Sequence, residues 1–200
     1  MAIDKISGYA KSENSYGTYH LAGQANDLFE VQRDNNFEFI VHFPAIMYRA
    51  DDNTQVLNTQ DDNQEFIRLS VNKASVPHYS QDVIAIERGN STFKAAGIIK
   101  WDSQTLEVMD YIGADGKSIL SAWQNLSGNV KADTVGRMKD YKLKCELVEY
   151  TPDYKDIVRT YTLEGCWVSK LSESDHSQES GSKRVITATI EFDKCYMDID

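Results

Sequence analysis

Apolar and polar residues alternate along much of the chain with the period of two that predicts half-buried β-strands. The first clear run covers residues 37–43, where Phe37, Phe39, Val41 and Phe43 share one phase and Pro44 follows. Similar runs predict strands over 141–148, 159–168 and 183–196. Their apolar phases include Leu143, Cys145 and Leu147 in the first strand and Ile186, Ala188, Ile190 and Phe192 in the last.

Residues 66–110 contain three further alternating runs in succession, which predict three adjacent antiparallel strands. The first run ends before Pro77, whose nitrogen cannot donate to a ladder. The second is interrupted by Arg88, Gly89 and Asn90, a cluster typical of the turn of a β-hairpin. The third covers 105–109.

Helical spacing is confined to two short segments. Ile119, Leu120, Trp123 and Leu126 lie on one face of a predicted helix over 118–127, which Gly128 ends. A second helix is predicted over 22–33. Residues 1–20 show no periodicity and are expected to form an N-terminal arm, so that the folded domain covers 21–200.

The segment 50–65 is rich in Asp, Asn and Gln and has no period. Structureless connections of this length are uncommon in compact domains and are often functional, so we expect a projecting loop that contacts a partner. Calcium binding is disfavoured, because Val56 stands where an EF-hand loop needs Gly and Asp62 where it needs a bidentate Glu. A shorter acidic loop is predicted over 172–182.

The composition disfavours nucleic-acid binding and membrane insertion. The 200 residues carry 31 acidic and 21 basic side chains, for a net charge of −10, which opposes adhesion to nucleic acid. The N-terminal residues lack the basic and apolar regions of a signal peptide, and no run is apolar enough to span a membrane. We therefore expect a soluble protein made in a reducing cytoplasm.

No constellation of residues predicts catalysis or a cofactor. The four histidines are far apart in sequence, and the three cysteines have no Cys-x-x-Cys pair, so neither a metal site nor a disulfide framework is indicated. Gly116, Lys117 and Ser118 resemble part of a phosphate-binding loop, but Tyr111 stands where its first Gly is required. Cys145 shares the apolar phase of its strand and is expected to be a buried, inert thiol.

A β-rich chain with many strand edges and no catalytic site is typical of a protein that assembles, because exposed edges tend to pair. Copies placed around a closed ring would join their sheets edge to edge.

The order of the motifs resembles that of tail-tube proteins of contractile-tail bacteriophages, in the wider group of phage tail tubes and secretion tubes. The similarity covers about residues 20–197 and rests on a series of motifs: NNFEFIV, the strand ending in ASVP, IAIERGNSTFKAAG, TLEVMD, SILSAWQNL, YKLKCELVEY, RTYTLEGCWVSKL and VITATIEFDKCYMD.

The resemblance implies a mainly β fold: an antiparallel β-sandwich or small barrel with one flanking helix and a long inter-strand loop, assembled into hexameric rings. The rings would stack into a hollow, acidic tube inside a contractile sheath and deliver a genome. A subunit of a baseplate or of a contractile secretion apparatus is the alternative, and a β-sandwich binding module or hydrolase is a third.

The implied partners are further copies of the chain, a sheath protein, a baseplate tube initiator, a tail terminator, and a tape-measure protein and double-stranded DNA in the lumen. The implied location is the virion tail. Candidate ring-stacking residues lie in the 50–65 loop: Asp51, Asp52, Asn53, Gln55, Asp61, Asp62 and Gln64. Candidates for the lumen or outer wall are the polar phases of two strands: Lys142, Lys144, Glu146, Thr187, Thr189 and Glu191.

Overall fold

The computed structural model describes residues 32–44, 60–112, 116–174, 181 and 183–199. In these ranges the chain is mainly β. The strands are β1 (Phe37–Val41), β2 (Val71–Ala74), β3 (Tyr79–Arg88), β4 (Ser91–Trp101), β5 (Gln104–Met109), β6 (Gly128–Asn129), β7 (Thr134–Val135), β8 (Leu143–Tyr150), β9 (Ile157–Glu173), β10 (Val185–Glu191) and β11 (Lys194–Ile199). The helices are α1 (Gln60–Ser70), α2 (Gly116–Ser127) and α3 (Met138–Tyr141).

Seven strands form one antiparallel sheet in the order β1-β8-β9-β10-β5-β2, with β11 also paired to β9. The 17-residue β9 joins the two halves of this sheet: its first part pairs with β8 and β11, and its last part pairs with β10. β1 and β2 end the path, so the sheet is antiparallel as expected but does not close into a barrel within the described residues.

The core follows the alternation of the sequence. Phe39, Val41 and Phe43 are buried on the predicted phase of β1, and the predicted apolar phases of β8 and β10 are buried too. Helix α2 begins at Gly116, two residues before the predicted start, and buries Ile119, Leu120 and Trp123. The Trp123 ring meets Phe43 edge to face at 5.8 Å between centroids, and its indole N–H donates to the carbonyl of Tyr141. The flanking helix therefore packs on the sheet as predicted.

The strand predicted at the start of 66–110 is wrong over 66–70, because residues 60–70 form α1, and is confirmed over 71–74, which form β2. A helix places Ile67 inside, with no exposed surface, and Leu69 outside, whereas alternation had assigned both to one face. Glu65 and Arg68 form an i,i+3 ion pair at 3.0 Å, and the Ser70 hydroxyl donates to the carbonyl of Phe66. The loop predicted over 50–65 therefore gives way to helix at residue 60.

Other boundaries differ in smaller ways. The strand predicted over 183–196 is divided at Phe192 and Asp193 into β10 and β11, which continue along the same edge of β9. β9 extends to Glu173, into the predicted acidic loop. Residues 32 and 33 are not helical, and the rest of the predicted 22–33 helix, like the 1–20 arm, lies outside the described residues.

Candidate functional site: an exposed β-hairpin

β3 and β4 form a long hairpin that is a separate two-stranded sheet. Arg88 pairs with Ser91 across a two-residue turn of Gly89 and Asn90, which confirms the predicted turn. Gly89 has φ +59°, a conformation that glycine adopts at low cost. The prediction that this hairpin lies within a three-stranded sheet is wrong, because β2 pairs with β5 and, among the described residues, not with β3 or β4.

The root of the hairpin, where Tyr79 of β3 pairs with Trp101 of β4, is fixed to the core by aromatic packing and a hydrogen bond. Trp101 contacts Phe192 at 5.6 Å and Tyr79 at 5.1 Å between ring centroids. The backbone N–H of Asp102 donates to the carbonyl of His78 at 3.0 Å. The hairpin therefore leaves the sheet from a fixed base.

Beyond this root, the hairpin carries apolar side chains on both faces. Ile86 lies opposite Phe93 and Ile84 opposite Ala95, so these residues share one face. Val83 lies on the other face, opposite Ala96. All ten residues of β3 are exposed, and Ile98 on β4 is 75% exposed. The half-buried strands predicted for these runs are thus wrong for the isolated chain.

The outer edges of the hairpin are open as well. Among the described residues, β3 pairs only with β4 and β4 only with β3. A two-stranded hairpin without a packed face is marginally stable in water, and contiguous exposed apolar surface usually marks an interaction site. The arrangement therefore presents two apolar faces and two unpaired backbone edges to a partner.

The sequence contains a pattern that indicates this surface, and a search for period-two alternation alone does not find it. Val83-Ile84-Ala85-Ile86 and Ile98-Ile99 are apolar on consecutive positions, which is typical of strands buried on both faces. Among the described residues these faces are exposed, and the pattern predicts a partner that buries them.

Two of the three candidate wall residues at the start of β8, Lys144 and Glu146, form a charged cluster with His42. Lys144 contacts Glu146 at 2.6 Å, and the imidazole Nε2 of His42 lies 3.4 Å from the same carboxylate. Partial burial opposes ionisation of Glu146, but the hydrogen bond and charge of Lys144, with His42, hold the pKa of this carboxyl below its ordinary value. Lys142 instead pairs with Asp193 at 2.6 Å.

The candidate wall residues of β10 lie elsewhere. Thr189 is in register with Lys170 of β9, whereas Glu146 of β8 is in register with Thr162. The eight residues between these β9 positions correspond to about 26 Å of strand. Thr187, Thr189 and Glu191 therefore form a second, separate polar strip of half-buried residues.

The candidate stacking residues are divided by the start of α1. Asp61, Asp62 and Gln64 belong to this helix, whereas Asp51, Asp52, Asn53 and Gln55 lie outside the described residues. The role of this segment stays a prediction.

Cys145 is fully buried as predicted, and Cys166 and Cys195 are buried too. Desolvation raises the pKa of the Cys145 thiol well above its ordinary value and that of Cys195 to about 11.

In the described part of the chain, no group of His, Cys, Asp or Glu side chains is arranged to hold a metal ion. None of the described helices is long and apolar enough to cross a membrane.

The sequence matches no protein-family model, and no curated protein is similar enough to match. Solved structures do match in fold. A chain of the sheath–tube complex of an extracellular contractile injection system, PVC, in its extended state has a TM-score of 0.60 at 16% identity, with 85% of this chain and 93% of that chain covered. A chain of the tube-terminating cap of the anti-feeding prophage has a TM-score of 0.61 at 13% identity, with 90% and 99% covered.

The tail tube of SPP1 is similar at a TM-score of 0.50 and 8% identity, with 85% of this chain and 80% of that chain covered. The fold is therefore that of tail tubes and contractile-injection tubes. This confirms the fold that the order of sequence motifs implied.

Proposed function

We propose that this protein is the tube subunit of a contractile tail or contractile injection system. Six copies form a ring, and the rings stack into a hollow conduit that a contracting sheath drives into a cell envelope. The fold supports this proposal, because chains of injection-system assemblies and a phage tail tube share it.

The observation that carries the proposal is the β3–β4 hairpin. Its apolar faces and open edges need a sheet from another molecule, and identical copies supply one in a symmetric assembly. A binding module for small ligands would bury such side chains around a pocket, whereas this hairpin extends them away from the core.

The cargo distinguishes two versions of the proposal. As a phage tail tube, the assembly would hold a tape-measure protein and double-stranded DNA in its lumen, and the net charge of −10 suits this role because an acidic wall binds few phosphates. An injection-system tube exports other cargo, and the higher TM-scores of the injection-system chains favour this version.

The expected partners follow from the proposal. The similar chains come from a sheath–tube complex, a sheath and tube terminator, and a baseplate, so we expect a sheath protein, a terminator and a baseplate initiator to bind this subunit. In a phage the location would be the virion tail. The proposed role is structural and requires no catalysis or cofactor.

The proposal is tested by sedimentation velocity and electron microscopy of the purified chain over a range of concentration, with Ile98→Asp and Leu69→Asp compared with wild type. Leu69 is the matched control, because it is an apolar residue of similar exposure that lies on α1, outside the hairpin. We expect rings or tubes from wild type and from Leu69→Asp, and monomers from Ile98→Asp, because an aspartate on the apolar face would be desolvated at the contact. Thermal unfolding should show that the Ile98→Asp monomer stays folded, since Ile98 lies outside the core. A monomeric wild type at every concentration, or normal rings from Ile98→Asp, would contradict the proposal.

A further inference from the structure

The two ends of β8 carry exposed surfaces of opposite charge, and we propose that the basic end of one copy binds the acidic end of the next. This inference rests on the proposed function, because it names the surfaces through which tube subunits meet. It concerns a contact separate from the β3–β4 hairpin.

The basic end comprises residues 128–142, which form the β6–β7 hairpin and α3 immediately before β8. Three apolar side chains project there: Val130 is 90% exposed, Val135 88% and Met138 66%. The segment has four basic residues and two acidic ones in a chain whose overall charge is −10. Lys131, Arg137 and Lys139 are exposed and form no ion pair among the described residues. The two acidic residues of the segment, Asp133 and Asp140, form none there either, so the charge left without a local partner is net positive, with three basic against two acidic side chains.

The acidic end comprises the turn after β8 and the adjoining parts of β9 and β11. Asp156 and Asp198 are exposed there and have no ion pair in the described part of the chain. Glu149 and Asp153 are also present, but Arg159 and Lys155 pair with them at 3.1 and 2.9 Å. The charge left without a local partner is therefore negative.

The acidic end also has apolar surface and an open strand edge. Ile157 and Met197 are exposed beside the two unpaired carboxylates. β11 pairs with β9 on one side only, so within the described residues its other edge is open. Both ends thus combine exposed apolar side chains with unpaired charge, the composition of a contact surface with a polar rim.

The two surfaces lie too far apart to neutralise each other within one chain. β8 runs from Leu143, next to the basic end, to Tyr150, next to the acidic end. Its eight residues span about 23 Å, several times the distance of an ion pair and more than twice the screening length at physiological salt. One subunit therefore presents complementary surfaces at opposite ends.

A second copy is the partner that fits both surfaces at once. A head-to-tail contact between identical subunits needs two different, mutually complementary patches, and repetition of that contact generates a ring or a stack. Opposite charges at the two patches also orient the encounter and oppose contacts between like ends.

The test reverses the charge of each end and then of both. We expect Arg137→Glu with Lys139→Glu, and separately Asp156→Lys with Asp198→Lys, to raise the protein concentration required for assembly at least ~10-fold in sedimentation velocity, since like charges would then meet. The protein carrying all four substitutions should assemble within ~3-fold of the wild-type concentration, because the contact regains opposite charges. Lys170→Glu, on β9 away from both ends, is the matched control and should assemble normally.

Normal assembly of both two-site variants would overturn this inference and leave the proposed function intact. So would failure of the four-site variant to recover while thermal unfolding shows it folded. Loss of sheath binding with normal self-assembly would assign the basic end to another partner and overturn the inference too. A wild-type chain that never assembles would instead overturn the proposed function together with it.

Discussion

Gly165 is a residue at which both the backbone conformation and the available space restrict substitution. Its φ is +74°, and a Cβ built there would overlap the carboxylate of Asp193, which pairs with Lys142. We expect Gly165→Ala to lower the free energy of unfolding by about 1–3 kcal/mol, measured by urea denaturation. Gly128→Ala is the control, because a Cβ there has no neighbour within 4 Å. Equal losses from the two variants would contradict this account of Gly165.

The buried thiols give a second prediction at the residue scale. Because burial keeps Cys145 and Cys195 protonated, the native protein should not react with an aromatic disulfide reagent at pH 8. Urea should expose all three cysteines of the chain to the reagent. Rapid reaction of any thiol in the native protein would show that this part of the core opens readily.

The same thiols predict a pH dependence of stability. The pKa of Cys195 rises from an ordinary 9.0 to about 11 on folding, so above pH 9 the unfolded chain loses a proton that the folded chain keeps. Rising pH therefore favours unfolding, and stability should fall between about pH 9 and 11. In urea denaturation curves taken across that range, Cys195→Ala should reduce the fall in the free energy of unfolding with pH. An equal fall in the variant and in wild type would show that other groups cause the pH dependence.

Among the elements, helix α1 implies that truncations of Ile67 and Leu69 differ in their cost to the free energy of unfolding, whereas an alternating strand would place both residues on one face and make the costs similar. Ile67 has no exposed surface, whereas Leu69 is 69% exposed. Ile67→Ala should therefore cost about 2–4 kcal/mol of unfolding free energy, and Leu69→Ala less than about 0.5. Similar costs from the two substitutions would favour the alternating strand.

The segment before α1 carries the predicted ring-stacking role. Because the helix begins at Gln60, a deletion that tests this role should be confined to residues 51–59. We expect that deletion to leave rings intact and to prevent their stacking, as judged by electron microscopy. Tubes of normal length from the deleted protein would refute the role.

How much the sequence predicts depends on where an element buries its side chains. β1, β8 and β10 bury one phase within the chain, so period-two alternation located them correctly. Helix α1 was missed because its first six residues, QDDNQE, are all polar and contribute no periodic signal. Among the side chains of α1 that the structure describes, the apolar ones that pack in or against the core are Phe66 and Ile67, and two adjacent apolar residues fit a strand equally well.

The candidate site was less predictable than the fold. The turn of the β3–β4 hairpin is encoded locally by Gly89 and Asn90 and was predicted. Its separation from the main sheet depends on the pairing of β2 with β5, a contact between distant segments that local pattern does not encode. The pattern therefore located these strands without showing that their faces are exposed in one chain.

In the whole molecule, an antiparallel sheet with a buried core is combined with surfaces that have no partner among the described residues. The β3–β4 hairpin has two apolar faces, and the two ends of β8 have opposite charge. Assembly into a tube would bury the first and pair the second. A salt titration should separate these contributions, because screening weakens charged contacts and leaves apolar burial largely unaffected.

A cryo-EM reconstruction of the assembled protein would show whether copies of this chain complete one another's sheets through the β3–β4 hairpin. We expect rings in which β3 or β4 hydrogen-bonds to a strand of a neighbouring copy and Ile84, Ile86 and Phe93 become buried. An assembly in which both edges of the hairpin stay open and these three side chains remain in solvent would contradict this expectation.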